Sequence, residues 1–141
     1  MSDRTVGPAV QALAELIGEL RTRCPWDREQ THASLVKYLV EESQEVVDAL
    51  AALDEPGADP AAANAALAEE LGDLLLQVLL HAQLASEQGH FDLAEVAGRL
   101  HAKLVRRHPH VFGDFAAETA EEVNANWERI KQAERDAKGT G

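Results

Sequence analysis

Apolar side chains recur along most of this 141-residue chain at intervals of three and four residues, which is the spacing of one face of an α-helix. The first such stretch opens near Pro8 and places Val10, Leu13, Ile17 and Leu20 on one side. Proline is tolerated in the first turn of a helix because its missing N–H costs no hydrogen bond there. We therefore predict a first helix that ends before the segment "CPWD".

Capping residues mark two long helices in the middle of the chain. A second helix is predicted from about Thr31 to Leu53, closed by the loop "DEPGADP". A third begins with Asp59 as its N-cap and Pro60 at the first helical position, and it stops at Gly89.

Two more helices are predicted in the remainder of the chain. The fourth runs from about Asp92 to Arg107, before the proline of "HPHVFGD". The fifth follows a capping box formed by Thr119 and Glu122, and it frays into "DAKGTG". The pattern as a whole predicts an all-α fold, a helical bundle of about five helices.

Composition favours one soluble helical domain over residues 1–141, with its core at about 8–135. The chain is 45% apolar and 27% charged, which allows a buried core, and only 4% aromatic, which disfavours strands. Its net charge of −12 argues against binding to nucleic acid or to an anionic membrane, since both need clustered Lys and Arg. The single cysteine, Cys24, excludes an intrachain disulfide, has no setting that favours a thiolate, and suggests a cytoplasmic location.

Two pairs of carboxylates interrupt the apolar stripes of the second and third helices. Glu42 falls at the edge of the first stripe with Glu45 one turn further on, and Glu70 and Asp73 repeat this arrangement on the next helix. If the two helices form an antiparallel hairpin, both pairs lie roughly 12 to 18 Å from the loop, at about 1.5 Å per residue. The two pairs would then face each other.

Four converging carboxylates repel one another at a half-buried site unless a cation is bound. An all-oxygen set without Cys or an ExxH pair suits Mg²⁺ or Mn²⁺ better than zinc or a di-iron centre. The alternative is that each acidic helix presents an ordinary solvated face. The matching heights of the two pairs favour the metal site.

Four segments, in order, resemble the MazG family of nucleoside triphosphate pyrophosphohydrolases: "CPWDREQTHASLVKYLVEESQEVVDAL", "EELGDLLLQVLLHAQLA", "KLVRRHPHVFGD" and "NWERIKQAER". The resemblance extends from about Leu13 to Arg135. It implies hydrolysis of an NTP or dNTP to the monophosphate and pyrophosphate, a house-cleaning activity on the nucleotide pool. Many bacterial members carry two such domains in tandem, whereas this chain contains one.

The resemblance also implies roles for individual residues. The Mg²⁺ ligands would be Glu42, Glu45, Glu70 and Asp73. Lys103 and Arg107, with Arg106 beside them, match phosphate-contacting positions; the alternative is that they interact with the dipole at a helix C-terminus. Trp127 and Lys131 match nucleotide-contacting positions; the alternative for Trp127 is a core or interface anchor.

Residues around the start of the second helix are candidates for contacts to the base. Trp26, Gln30 and His32 could line a pocket, and Tyr38, beside Glu42, is a further substrate-binding candidate; the alternative for Trp26 is a lid over the core. Glu41 points outward and is a candidate for orienting or deprotonating the attacking water, unless it is a plain surface residue.

Two other features bear on structure. His108 and His110 flank a proline beyond the fourth helix, so we expect them to form a structural turn. The segment from Leu74 to Leu80 has six apolar residues among seven, on every side of its helix, and such a helix needs neighbours all round. We therefore predict a second subunit that completes a central four-helix bundle, in a homodimer or a dimer of dimers like the family members that this chain resembles.

The leading prediction is thus a Mg²⁺-dependent NTP pyrophosphohydrolase, with Mn²⁺ as a substitute ion. Two alternatives remain: a narrower pyrophosphatase of the dUTPase or dCTPase type, and a catalytically silent dimeric helical module that binds another protein. The complete ligand set, together with Lys103, Arg107 and Trp127, favours the enzyme.

Overall fold

The computed structural model describes residues 5–140, and these form seven α-helices and no strand. The helices are α1 (Val6–Arg23), α2 (Pro25–Glu29), α3 (His32–Ala52), α4 (Pro60–Glu87), α5 (Leu93–Arg107), α6 (Pro109–Phe112) and α7 (Ala120–Thr140). The all-α prediction is confirmed, and the five predicted helices correspond to α1, α3, α4, α5 and α7. Within the described part of the chain, none of these helices has the length and apolar character needed to cross a membrane.

The two helices that the sequence did not predict are short, and each begins at a proline. The first, α2, has five residues, and α6 has four. Helices of this length complete little more than one turn, so no apolar periodicity can reveal them. They replace what was expected to be loop at "CPWD" and at "HPH".

The caps of α3 and α4 fix where the central hairpin begins. Thr31 Oγ1 accepts a hydrogen bond from the Ser34 N–H at 3.0 Å, and Ser34 Oγ accepts one from the Thr31 N–H at 2.8 Å. At α4, the Asp59 side chain accepts from the Ala61 N–H at 3.3 Å, as predicted for an N-cap. Both arrangements satisfy N–H groups that the first turn of a helix leaves without partners.

The end of α4 depends on a glycine. Gly89 has φ +75°, a left-handed conformation that side chains with a Cβ rarely adopt. This turn lets the Gly89 N–H donate to the Ser86 carbonyl at 3.0 Å and the His90 N–H donate to the Ala85 carbonyl at 2.9 Å. The two bonds form a Schellman motif, so the predicted stop at Gly89 is confirmed.

The predicted capping box of α7 is only half formed. Thr119 Oγ1 accepts from the Glu122 N–H at 3.1 Å, but the Glu122 carboxylate accepts from the N–H of Glu118, one residue before the expected donor. The helix also continues to Thr140, past the region near Arg135 where the sequence suggested fraying.

The chain divides into two compact units, one through Leu93 and one from Ala94 onward. In the first unit α3 and α4 pack along each other, and α1 packs against α2 and α4. The buried core consists of Ile17, Leu35, Leu79, Leu80 and Leu84, surrounded by Leu13, Leu20, Tyr38, Leu76 and Leu93. The face predicted for α1 is therefore the one that enters the core.

Some residues predicted to be buried lie at the surface of the single chain. Leu39 and Leu50, which the helical pattern placed on the inner stripe of α3, are 39% and 47% exposed. Leu75 and Val78, in the segment expected to be covered on every side, are 38% and 40% exposed. The described residues of one chain thus leave part of the α3–α4 hairpin without a neighbour.

Candidate metal centre

Four carboxylates meet between α3 and α4. Glu42 and Glu45 are three residues apart on α3, and Glu70 and Asp73 have the same spacing on α4, so each pair lies on one face of its helix. One oxygen from each carboxylate lies within 4.8 Å of the other three. The structure therefore brings together all four residues that the hairpin argument selected.

Burial and mutual repulsion disfavour full ionisation of this cluster. The pKa of Glu42 is raised from 4.5 to about 7, mainly by burial, then by a hydrogen-bonding contact with Glu45 and by the charges of Glu45, Asp73 and Glu70. The pKa of Glu70 is also raised, first by its contact with Glu45 and then by burial. The cluster needs either protons or a cation.

The oxygen atoms themselves favour a cation. Among the residues that the structure describes, none gives a hydrogen bond to the buried Oε2 atoms of Glu42 and Glu70. Buried polar atoms in folded proteins are nearly always paired, so two such oxygens in one cluster fit the binding of a positive ion. Only carboxylate oxygens are offered, which fits a hard divalent ion such as Mg²⁺. The residues present thus fit the predicted metal.

Glu41 is exposed and lies outside the four-carboxylate cluster. The side chain of Glu41 thus faces solvent, as the helical pattern predicted. Its suggested action on the attacking water remains a prediction.

The aromatic residues near the start of α3 are in contact with each other. The Trp26 ring packs edge-on against Tyr38, with ring centroids 5.6 Å apart, and the Lys37 ammonium lies 5.0 Å from the Tyr38 ring centre. Gln30 is engaged locally, because its Nε2 donates to the Trp26 carbonyl and its Oε1 accepts from Ser34 Oγ. Trp26 and Tyr38 therefore share one surface, while the Gln30 amide is already occupied.

His32 is engaged with a residue that the sequence argument did not select. Its Nδ1 lies 2.7 Å from Nδ1 of His81, and the two ring planes differ by 4°. That distance is too short for stacked rings and fits a hydrogen bond in the plane of both rings. One ring must donate and the other accept, and the pKa of His81 is lowered by burial and by His32. This bond holds the start of α3 to α4.

Arg21 is a second residue that sequence reasoning missed. Its Nη1 donates to the carbonyl oxygens of Asp27, Arg28 and Gln30 at the end of α2, and its Nε and Nη2 donate to the Glu87 carboxylate. The bond to Glu87 raises the pKa of Arg21 and lowers that of Glu87. No local pattern marks this contact, because Arg21 and Glu87 are 66 positions apart.

The candidate phosphate contacts lie in the second unit. Lys103 is exposed, whereas Arg106 and Arg107 both donate to the carboxylate of Glu134, at 2.8 and 2.6 Å. The Arg107 guanidinium lies 5.3 Å from the centre of the Trp127 ring. The structure therefore brings Arg107 and Trp127 together. Glu134 joins them, although the sequence analysis assigned it no role.

Trp127 borders an open groove within this unit. The groove has a volume of about 700 Å³ and is lined by His108, His110, Asn124 and Trp127 among others. Lys131 pairs with Glu128 at 3.3 Å. His108 is the N-cap residue of α6 without a side-chain cap bond, and its Nδ1 lies 2.6 Å from the Leu104 carbonyl oxygen. The two histidines therefore belong to a short helix at the place where a turn was expected.

Comparison with known proteins identifies the family. Residues 30–112 match the family model described as the MazG nucleotide pyrophosphohydrolase domain. The chain belongs to this family. The match contains both carboxylate pairs as well as Lys103, Arg106 and Arg107.

Several curated proteins are similar to this MazG-family chain. A nucleoside triphosphate pyrophosphohydrolase of Escherichia coli is 48% identical over 115 residues, covering 82% of this chain and 40% of the relative. A nucleoside triphosphate pyrophosphohydrolase/pyrophosphatase MazG of Thermotoga maritima is 42% identical over 137 residues, covering 96% and 49%. The uncharacterized protein YabN of Bacillus subtilis is 46% identical over 123 residues, covering 86% and 23%. The chain thus spans at most about half the length of these relatives.

Proposed function

We propose that this chain hydrolyses nucleoside triphosphates to the monophosphate and pyrophosphate in a metal-dependent reaction that clears the nucleotide pool. The observation that carries the proposal is the cluster of four carboxylates with two buried, unpaired oxygens. The names of the relatives from Escherichia coli and Thermotoga maritima support it. Because the chain spans only part of those proteins, its own activity needs a direct test.

The carboxylates of Glu42, Glu45, Glu70 and Asp73 would hold the metal. We propose Mg²⁺, with Mn²⁺ as a substitute, because both ions prefer oxygen ligands. When bound, such an ion offsets the negative charge that develops on phosphate oxygens during hydrolysis. In the empty cluster the four carboxylates would instead repel a phosphate.

Other residues supply what the carboxylates cannot. We propose that Lys103 and Arg107 contact the phosphates, with Arg106 beside them, and that Trp127 and Lys131 contact the rest of the nucleotide. We propose that Glu41, which is exposed, takes a proton from the attacking water or orients it. We propose that a base packs on the exposed part of Trp26, whose ring Tyr38 contacts edge-on. Gln30 would contribute mainly by holding Trp26 in place, since both polar atoms of its amide are engaged. His32 is bonded to His81 through Nδ1, so its contact to the substrate would be made by the rest of its ring.

We also propose that the protein is a homodimer, or a dimer of dimers, built on the exposed side of the hairpin. On α3, Val36, Val40, Val47 and Leu50 are 55%, 63%, 54% and 47% exposed and follow helical spacing. On α4, Leu71, Leu75 and Val78 form a similar row, each at least 38% exposed. Apolar rows on two adjacent helices favour pairing with the same surface of a second copy, which would complete a four-helix bundle.

The decisive experiment incubates purified protein with a panel of NTPs and dNTPs plus Mg²⁺ and measures pyrophosphate. We expect release that stops when EDTA is added and returns with excess Mg²⁺. The panel also decides between broad activity and the narrower dUTPase or dCTPase type. Absence of pyrophosphate with every nucleotide, and with Mn²⁺ as well, would favour the silent binding module and refute the proposal.

A further inference from the structure

The carboxylate of Glu134 bridges two neighbouring arginines of the second unit. Its Oε2 accepts from Arg106 Nε at 2.8 Å, and its Oε1 accepts from Arg107 Nη2 at 2.6 Å. The side chains of Glu134 and Arg107 are only 23% and 15% exposed, whereas that of Arg106 is 53% exposed. Hydrogen bonds between two charged groups are short and strong, especially where water is partly excluded.

Trp127 holds the same arginine from another direction. The Arg107 guanidinium lies over the indole, 5.3 Å from the ring centre, and His108 packs edge-on against that ring at 5.1 Å. A free arginine side chain loses about 2 kcal/mol of conformational entropy when it is fixed. The contacts with Glu134 and Trp127 restrict Arg107 to one orientation.

The fixed guanidinium still has donors to offer. Arginine has five N–H groups. Of the three nitrogens of the Arg107 guanidinium, only Nη2 donates a hydrogen bond to another described residue, namely Glu134. The Nε atom is buried and has no partner among the described residues, so the donors left for a ligand are those of Nη1 and the second N–H of Nη2. A phosphate has several acceptor oxygens and can accept bonds from both of these nitrogens. The terminal nitrogens of Arg107 can therefore bind an anion while Glu134 holds the guanidinium.

We infer that Glu134 is a positioning residue: it holds the Arg107 guanidinium in the orientation in which its remaining N–H groups bind a phosphate of the substrate. The inference rests on the proposed function, since it takes Arg107 as a phosphate contact. Hydrogen bonds from Arg107 and Arg106 lower the pKa of Glu134 to about 2. The carboxylate therefore stays ionised, and remains bonded to both arginines, throughout the physiological pH range.

The negative charge of Glu134 also opposes phosphate binding, so positioning and charge predict opposite results when Glu134 is removed. Its charge cancels one of the two positive charges and by itself would weaken the attraction of an anion. Because Glu134 touches Arg107, a phosphate bound to that arginine would lie within about 8 Å of the carboxylate, where screening at physiological ionic strength is incomplete. In our proposal the preorganisation of Arg107 outweighs this repulsion. We therefore expect that removing Glu134 weakens phosphate binding, although it makes the protein less negative.

The test compares Glu134→Ala, Glu134→Gln and Glu134→Asp with Glu118→Ala. Glu118 is exposed, and its replacement changes the net charge by the same amount without touching either arginine. The probe is inorganic tripolyphosphate at fixed Mg²⁺, with affinity measured by calorimetry. We expect Glu134→Ala to lose at least about tenfold in affinity, Glu134→Asp to recover part of it, and Glu118→Ala to bind like the wild type or slightly tighter.

Two further readouts separate positioning from general stability. In a Trp26→Phe background Trp127 is the one remaining tryptophan, so release of Arg107 by Glu134→Ala should shift its emission without any ligand. In hydrolysis assays KM should rise more than kcat falls. Circular dichroism checks the helix content, and Glu134→Gln, which keeps the size and an acceptor oxygen, replaces Glu134→Ala if that variant unfolds.

The outcomes distinguish this inference from the proposed function. Equal tripolyphosphate affinities for Glu134→Ala and Glu118→Ala would overturn the inference, even if the wild type hydrolyses NTPs. A wild type that does not bind tripolyphosphate would overturn it too. If the wild type binds tripolyphosphate but hydrolyses no NTP, the proposed function fails, and the affinities of the variants still decide whether Glu134 positions Arg107.

Discussion

Glu42 and Glu70, on neighbouring helices, each bury one carboxylate oxygen that has no hydrogen-bond partner within residues 5–140. The two residues belong to one cluster with Glu45 and Asp73, so their negative charges add rather than cancel. A fold that places like charges together in this way loses stability unless something compensates. The cluster would therefore lower the stability of the fold if it had only a structural role, whereas a bound cation would offset the repulsion.

The first prediction concerns the metal ligands. Replacing Glu42 by Gln or Asp73 by Asn should reduce pyrophosphate release at ordinary Mg²⁺ by at least about 100-fold, as loss of one stabilising contact in an active site commonly does. Each replacement removes one of four like charges, so the metal-free variant should unfold at a higher temperature than the wild type. Activity and melting temperature would be measured side by side.

Glu69→Gln is the matched control. Glu69 is exposed and directly precedes Glu70, so this variant loses the same charge from the same helix while leaving the four carboxylates in place. It should retain most of the activity. Near wild-type hydrolysis by Glu42→Gln would disprove the metal assignment.

The second prediction concerns pH in the EDTA-treated protein. The pKa of Glu42 in the folded state is about 7, above its ordinary value of 4.5. Protonated Glu42 is thus favoured in the folded state, and its stabilising effect is complete below pH 4.5 and is lost as pH rises through 7. The urea midpoint of the wild type should fall between pH 5 and 8, and by less in Glu42→Gln.

Wild type and Glu42→Gln share every other titratable group, so the difference between their two pH profiles is the quantity that matters. Saturating Mg²⁺ should restore the wild-type midpoint at pH 8, because the ion replaces the protons. Identical pH profiles for wild type and Glu42→Gln would show that Glu42 does not titrate as described.

The carboxylate cluster was predictable from the sequence because each pair follows helical spacing and a single loop joins the two helices. The height of each pair above that loop is then fixed by the rise per residue. The contacts of Glu134 were not predictable in this way. Glu134 lies 27 positions from Arg107 on a different helix, and the pattern within a helix does not specify its partner.

Burial was predicted less well than helix positions for a related reason. The apolar stripe of α3 correctly predicted that Leu35 and Val46 are buried, but Leu39 and Leu50 lie at the surface of the single chain. A helical pattern shows which residues avoid water, not whether the covering surface belongs to the same chain. The exposed residues are the ones that the proposed dimer would cover.

The third prediction tests that dimer. Leu75→Glu places a charge at a position 38% exposed in the single chain, so it should dissociate the dimer while the helices remain folded. Leu79→Glu places the same charge at a position only 2% exposed, inside the core, and should unfold the chain. Light scattering and circular dichroism report the mass and the helix content.

The contrast between these two leucines replaces a simpler expectation from sequence, in which a charge at either Leu76 or Leu79 would dissociate or unfold the protein. Leu79 belongs to the intrachain core and Leu76 packs against it. A charge at either position would therefore disturb the fold of the single chain and would not test the dimer interface alone. A monomeric mass for the wild type at low micromolar concentration would rule out the proposed dimer.

The fourth prediction concerns which phosphorus atom water attacks. If Lys103 and Arg107 hold the outer phosphates, pyrophosphate is the group that leaves, and the bond that breaks joins the α-phosphorus to its bridging oxygen. The oxygen of water then bonds to the α-phosphorus. The sequence has no GxxxxGK[ST] loop, the element that P-loop enzymes use to bind phosphates for attack at the γ-phosphorus.

Hydrolysis in ¹⁸O-labelled water should therefore place one labelled oxygen in the nucleoside monophosphate and none in pyrophosphate, as read by mass spectrometry. The control incubates finished products in labelled water and should show no exchange. Label in pyrophosphate would mean attack at the β-phosphorus, with the monophosphate as the leaving group and the basic residues binding a different part of the substrate. Release of orthophosphate with a nucleoside diphosphate would contradict the proposed reaction itself, since the outer phosphates would then have been separated rather than released together.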